Sequence, residues 1–486
     1  MAKRKPNKIK VLMASPEVEP IARSGGLGDV AGALPKALNK LNCDARLIMP
    51  KYGTIGEEKK YDAKKILSFV KFKIGKEEVE INVWMTKKAI RGVTVYMTEN
   101  SKYFGRNRLY YGNVPRRFMF FSAACLEVLP LLGFKPDVIH CHDFHTGLIP
   151  ALLKTGRYPY LENIKILYTI HNLRYQGKAV PRTLSVADIT KSSLYSLTKD
   201  AEDGDVNCMV QAIINADLIN TVSPAYAKEI ATKEYGAGLE KIIKKNKHKL
   251  HGILNGLDLK LHDPLHDKNI RHKYSSKNIS NKVKNKLHLQ KKLGLPIDKN
   301  IPMVGFIARL VYQKGIELFT EKMIDNLPCQ FVFLGSGYER YENHLRHLAK
   351  KFPDKVSTNI MFDFKLAQQI YAGCDIFTIP SRFEPCGLTQ MISMRYGTIV
   401  VARDTGGLKD TVDQKVGFKF SDFSSKDFES ALKKAIKVYN DDPKKWLKLQ
   451  KNSFKRDFSW NKSAKDYLAI YKKLISGATG QKAKRS

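Results

Sequence analysis

The sequence predicts an α/β chain made of two parallel-sheet domains, and three observations carry that expectation. At 486 residues the chain is longer than one hydrophobic core usually serves. Short apolar, β-rich runs alternate with amphipathic helical stretches, which is the pattern of βα units. The alternation also occurs twice, on either side of a basic, polar stretch at 262–300.

In the first series, strands are predicted at 8–14, 45–49, 138–141, 164–170 and 218–222, with a helix at 30–40 after the first. In the second, strands are predicted at 303–307, 330–334, 375–380 and 398–402, with a helix at 389–396. The stretch 262–300 reads as a hinge connection followed by the helix that leads into the second domain. Near the end, Ala464, Tyr467, Leu468, Tyr471 and Leu474 recur at helical spacing and predict an amphipathic helix. The expected boundaries are 7–256 for the first domain, 257–457 for the second, 458–475 for the closing helix and 476–486 for a frayed basic tail.

Composition narrows the function classes. An apolar content of 43% fills two cores, and no run of about 18 uncharged apolar residues suggests a membrane span. The basic start at 1–8 leads directly into a short strand, which does not fit a signal peptide. Cys43, Cys125, Cys141, Cys208, Cys329, Cys374 and Cys386 are scattered and read as reduced thiols of a cytoplasmic protein. Cys141 beside His140, His142 and His145 invites a zinc reading, but no second cluster has matching spacing. No cofactor or metal is expected. The formal charge of +37 admits a polyanion binder. Its lysines, dense at 241–249, 268–292 and 482–485, read instead as solvated helix faces and ends, so neither a specific nucleic-acid partner nor a membrane is expected.

Four stretches carry chemistry. Residues 381–390, Ser-Arg-Phe-Glu-Pro-Cys-Gly-Leu-Thr-Gln, place Glu384 in a strand-to-helix loop at the carboxyl end of a strand, where open α/β sheets hold ligands. The plainer reading is a carboxylate favoured by a helix N-terminus. Residues 306–315 place Arg309 and Lys314 at a strand end before a predicted helix, two cations suited to a diphosphate. Residues 15–30 hold Arg23, Gly25, Gly26 and Asp29 in a glycine loop between strand and helix, where backbone amides approach a phosphate. Residues 140–147 and 168–177 bring Asp143, His145 and His171 to one rim of a parallel sheet.

These stretches, with Thr405, Gly406 and Gly407 close behind, resemble the signatures of the bacterial glycogen and plant starch synthases, in family order from Val11 to Tyr471. The resemblance implies the GT-B fold, two Rossmann-like domains facing each other across a cleft. It also implies retaining, metal-independent transfer of glucose from ADP-glucose to the nonreducing end of an α-1,4-glucan such as glycogen. It assigns Glu384, His171, Arg309 and Lys314 to catalysis. Arg23, Gly25, Gly26, Phe362, Cys386, Gly387, Leu388, Thr405, Gly406 and Gly407 fall to the donor, and Asp29, Asp143, His145 and Asn255 to the sugar and acceptor cleft. The chain departs from the family pattern at Arg23, where a lysine is usual, at Phe144, where tryptophan is frequent, and near Val210, where a lysine is expected. A UDP-glucose donor, another acceptor, or a non-catalytic glucan or polyanion binder remain the alternatives.

Overall fold

The structure, a computed structural model, describes residues 8–53, 58–74 and 77–477. The basic segments 1–7 and 478–486, which hold most of the predicted tail, lie outside the described residues. The chain separates into two compact units. The first comprises residues up to 222, 227–256 and those from 460 onward; the second comprises 223–226 and 257–459.

The first unit is built on a nine-stranded sheet. Its order is Leu250–Gly252, Leu218–Thr221, Lys165–Ile170, Val138–His142, Ile9–Ala14, Cys43–Pro50, Val95–Glu99, Glu77–Thr86 and Lys64–Ile74. The first seven strands are parallel and the last two antiparallel. The central strands are buried nearly end to end, which is why they appear in the sequence as continuous apolar runs. From Ile9–Ala14 the chain moves to one side for its next strand and later returns to pair Val138–His142 on the other side. The order therefore reverses between these two strands, the position at which such sheets bind ligands.

The closing helix, Trp460–Ile475, belongs to this first unit. Its buried stripe of Ala464, Tyr467, Tyr471 and Leu474 follows the predicted periodicity. Polar contacts fix its register: the Tyr471 hydroxyl is 2.9 Å from His140 Nδ1, and Asn220 Nδ2 donates to the Tyr467 hydroxyl at 3.0 Å.

The second unit holds six parallel strands in the order Val356–Asn359, Gln330–Leu334, Met303–Ile307, Ile376–Ile379, Ile399–Arg403 and Gly417–Phe420. Here the order reverses between Met303–Ile307 and Ile376–Ile379. A phenylalanine cluster, with Phe319 edge-on to Phe306, Phe333 and Phe428, fills one side of the sheet. Among the described residues no helix is long and apolar enough to cross a membrane.

Two expectations need correcting. The helix predicted after Lys314 is replaced by two short 3-10 turns, Tyr312–Lys314 and Ile316–Leu318, because Gly315 between them is left-handed (φ 68°) and breaks the helical path. The lysines at 268–292 are not all solvated either. On helix Asn281–Lys292, Lys282 and Lys286 are buried. Lys282 donates to the carbonyls of Tyr371 and Ala372 and to the Thr398 hydroxyl, and Lys286 pairs with Asp375 at 2.7 Å. The carbonyls at the end of helix Phe364–Gly373 are buried acceptors that need donors, which Lys282 supplies, while Lys286 pairs the buried Asp375 carboxylate just beyond the helix.

Candidate active site

In the second unit the predicted residues converge on the reversal of strand order. A cavity of about 170 Å³ is lined by Phe306, Ile307, Ala308, Arg309 and Lys314 from one strand end and by Thr378, Ile379, Ser381 and Thr389 from the other. Lys314 Nζ lies 2.6 Å from Glu384 Oε2, and the Ser381 hydroxyl donates to the same oxygen at 2.9 Å. Both contacts fall on Oε2, so among the described residues Oε1 is left for a ligand. Glu384 is buried and spends its carboxylate on Lys314 and Ser381, and helix Thr389–Arg395 has no side-chain cap bond, so Glu384 does not cap that helix.

Sequence local to each loop explains this convergence. A Cβ at Gly315 would stand 2.1 Å from the Pro380 carbonyl oxygen, so only glycine lets the loop carrying Lys314 press against the strand end that leads to Ser381. The two loops are laced by Arg382 N donating to the Gln313 carbonyl at 2.8 Å and Gln313 Nε2 to the Phe383 carbonyl at 3.0 Å. Gly407 N donates to the Glu384 carbonyl at 2.9 Å, and a Cβ there would meet the Cys386 carbonyl oxygen at 2.2 Å. This sets the loop of Thr405, Gly406 and Gly407 directly against that of Cys386, Gly387 and Leu388. Gln390 clamps the arrangement, its amide donating to the carbonyls of Cys386 and Gly387 and to the Thr411 hydroxyl. Phe362 is 84% exposed, so its ring is not part of the core.

In the first unit Arg23, Gly25, Gly26, Asp29, Asp143 and His145 follow the two strands at the corresponding reversal, His171 follows the strand beside them, and Asn255 lies beyond the edge strand Leu250–Gly252. The loop after Ile9–Ala14 carries an ion pair between Arg23 and Asp29 at 2.9 Å. Burial pushes the Asp29 carboxyl up to about 6 against the opposing pull of Arg23. After Val138–His142, Asp143 adopts a positive φ of 55° and its Oδ1 accepts from the amides of His171 at 2.7 Å and Asn172 at 3.4 Å. Burial raises this carboxyl to about 7 despite those two donors. His145 packs edge-on to Phe118 with ring centres 4.6 Å apart, and burial holds its imidazole down to about 3. His171 is half-buried, is likewise depressed by burial to about 3, and has its Nε2 2.9 Å from His142 Nδ1. Asn255 is buried within the first unit, and its Oδ1 has no partner among the described residues.

Sequence reasoning missed Glu17. This buried carboxylate sits beneath the glycine loop, where Oε2 accepts from Ser24 N at 2.5 Å and Gly25 N at 2.9 Å while Oε1 accepts from the Tyr110 hydroxyl. The Gly25 amide expected to face a phosphate is therefore engaged by Glu17. Tyr110 lies 93 residues away, so no local pattern announces the contact. His140, part of the zinc reading, is a satisfied core residue whose Nε2 is 2.7 Å from the Thr169 hydroxyl and whose Nδ1 meets Tyr471. Among the described residues no group of three or more metal-ligating side chains assembles.

Two Rossmann-like units, one with a cation pair and a gripped carboxylate at its reversal of strand order, are the parts of a GT-B glycosyltransferase. Residues 10–245 match the family model of the starch synthase catalytic domain, and 301–438 that of the glycosyl transferases group 1. The chain is 40% identical to a glycogen synthase of Streptococcus agalactiae, covering 96% of this chain and all of that one. It is 43% identical to a glycogen synthase of Clostridioides difficile with the same coverage. The catalytic domain of starch synthase IV from Arabidopsis thaliana, solved bound to ADP and acarbose, superposes with a TM-score of 0.88 at 34% identity, over 97% of this chain and all of that one. The chain belongs to the family of glycogen and starch synthases.

Proposed function

We propose that this protein is a glycogen synthase that transfers glucose from ADP-glucose to the nonreducing end of an α-1,4-glucan with retention of configuration. The observation that carries the reading is the pairing of Lys314 with Glu384 beside Arg309 at the reversal of strand order in the second unit. Arg309 and Lys314 neutralise the diphosphate as the bond between glucose C1 and the β-phosphate oxygen breaks. Its electron pair leaves with ADP, the acceptor 4-hydroxyl bonds to C1, and the departing phosphate takes the hydroxyl proton. Glu384 grips the glucose hydroxyls and offsets the positive character of the sugar. Its charge is already shared with Lys314 and Ser381, which favours this electrostatic role over that of a covalent nucleophile.

Phe362, fully presented to solvent, packs against the nucleotide base. The amides and side chains of 386–388 and 405–407 line the donor. From the first unit, Arg23 and Gly26 add positive character at the phosphates, and His171 acts on the donor glucose. Asp29, Asp143, His145 and Asn255 serve the sugar and acceptor. With arginine and lysine supplying the positive charge, the reaction proceeds without a metal ion. The seven cysteines are free and buried, in keeping with a cytoplasmic setting.

Incubation of the purified protein with glycogen and ADP-glucose should release ADP and lengthen the glucan. UDP-glucose in parallel measures donor choice. Release with neither donor would sink the proposal, and release from UDP-glucose alone would correct the donor.

A further inference from the structure

Two histidines stack behind His171 in the first unit, and of the three only the outermost belongs to the reaction described above. His140, His142 and His171 lie on or just beyond adjacent parallel strands, with ring centres 4.1 Å apart for the first pair and 5.2 Å for the second. The innermost ring is pinned at both nitrogens by the hydroxyls of Tyr471 and Thr169. His142, fully buried, rests against it and reaches His171 through one contact, Nδ1 to Nε2 at 2.9 Å.

Such a contact between two neutral imidazoles holds one proton, so one ring donates and the other accepts. Both rings are neutral near pH 7, since burial holds His142 well below the usual imidazole range and His171 down to about 3. The remaining nitrogen of His142, Nε2, is buried with no hydrogen-bond partner among the described residues. Were His142 the acceptor, its proton would sit on that nitrogen as an orphaned buried N–H, which native structures avoid more strictly than a bare acceptor. The proton therefore belongs on His142 Nδ1. His171 must then accept at Nε2 and carry its own proton on Nδ1.

We propose that His142 is a positioning residue that locks His171 in the tautomer protonated on Nδ1, so that the half-buried ring presents an N–H donor to a sugar oxygen. A working histidine commonly has its tautomer set by the bond its other nitrogen makes. What that donor is used for rests on the glycogen synthase reading; the tautomer itself does not.

The test starts with the wild-type protein, deuterated and carrying ¹⁵N in its histidine rings, with the His171 signals assigned by their loss in His171→Gln. The expected spectrum shows a protonated Nδ1 and an unprotonated Nε2 at pH 7.5. The reverse pattern, or exchange between the two, would overturn the proposal whether or not the protein makes glycogen. The second arm uses His142→Asn, whose amide nitrogen takes the place of Nδ1 as donor, and His142→Leu, which has none. The leucine variant should lose the single tautomer and about tenfold or more in kcat with the KM for glycogen little changed, and the asparagine variant should restore both. A leucine variant that folds and turns over at the wild-type rate would overturn the positioning role. Should it not fold, an asparagine variant with a mixed tautomer would do the same. A wild-type protein with the expected tautomer and no transferase activity would count against the glycogen synthase reading alone.

Discussion

Replacing Asp143 with asparagine should stabilise the first unit while weakening the enzyme, and the size of the gain should depend on pH. The Asp143 carboxyl is raised from 3.8 to about 7, mainly by burial. In the folded state it therefore binds a proton that the unfolded chain gives up between about pH 4 and pH 7, and stability falls as pH rises through that window. A shift of about three units corresponds to a ceiling of about 4 kcal/mol, incurred in full above pH 7 and absent below about pH 4. Asparagine keeps an oxygen for the amides of His171 and Asn172 and tolerates the positive φ as well as aspartate does, but carries no charge. Asp143→Asn should thus be more stable than wild type by about 2–4 kcal/mol at pH 8 and by about two-fifths as much at pH 5. Pulse-labelling hydrogen exchange in urea reads each unit separately, which matters because a two-unit chain need not unfold in one step. An advantage that is missing at pH 8, or equal at the two pH values, would refute the argument. Activity should drop at the same time, since stability and function trade against each other at strained, desolvated sites.

Glu384→Gln should lower kcat by about a thousandfold with no loss of thermal stability, measured by ADP release; a loss of only a few-fold would remove Glu384 from the centre of the site. Glu17→Ala frees the Ser24 and Gly25 amides and should raise the KM for ADP-glucose about tenfold or more, whereas Glu17→Gln, which still supplies an acceptor oxygen, should stay near wild type. Phe362→Ala should raise the donor KM several-fold and leave the unfolding midpoint unmoved, because the ring buries little to lose. Lys286→Met leaves Asp375 buried without its cation and should cost the second unit about 3–5 kcal/mol in urea unfolding.

How much of this was legible in the sequence depended on how local the determinants are. The strands Met303–Ile307 and Gln330–Leu334 appear in the sequence with the bounds they have in the structure, since a strand buried on both faces reads as a nearly continuous apolar run. The hairpin of Lys64–Ile74 and Glu77–Thr86 went unseen because few of its residues are buried and its apolar residues are interspersed with lysine and glutamate. At the candidate site, Glu384, Lys314 and Arg309 were visible through motif and strand-end position. Glu17 was not singled out, Ser381 and Gln390 were named only as the ends of a stretch, and His142 was given a metal reading, because what distinguishes all four is a hydrogen bond to a partner that no spacing rule supplies. The buried lysines of Asn281–Lys292 misled for a related reason: nothing in a run of lysines tells which ammonium will meet a carbonyl or a carboxylate distant in sequence.

The closing helix has a consequence for how the chain is made. The ribosome finishes strand Leu250–Gly252 of the first unit, then synthesises the whole of 257–459, and only afterwards delivers the segment that supplies Tyr467 and Tyr471 to Asn220 and His140. For roughly 200 residues of synthesis, at about 5–20 residues per second, the nascent first unit waits without the partners that Tyr467 and Tyr471 supply. The second unit, continuous apart from four residues made earlier, has all its strands by then. The unit whose strands are translated first is thus completed only after the strands of the other have been made, and the histidines behind His171 receive their hydrogen bond from Tyr471 only then.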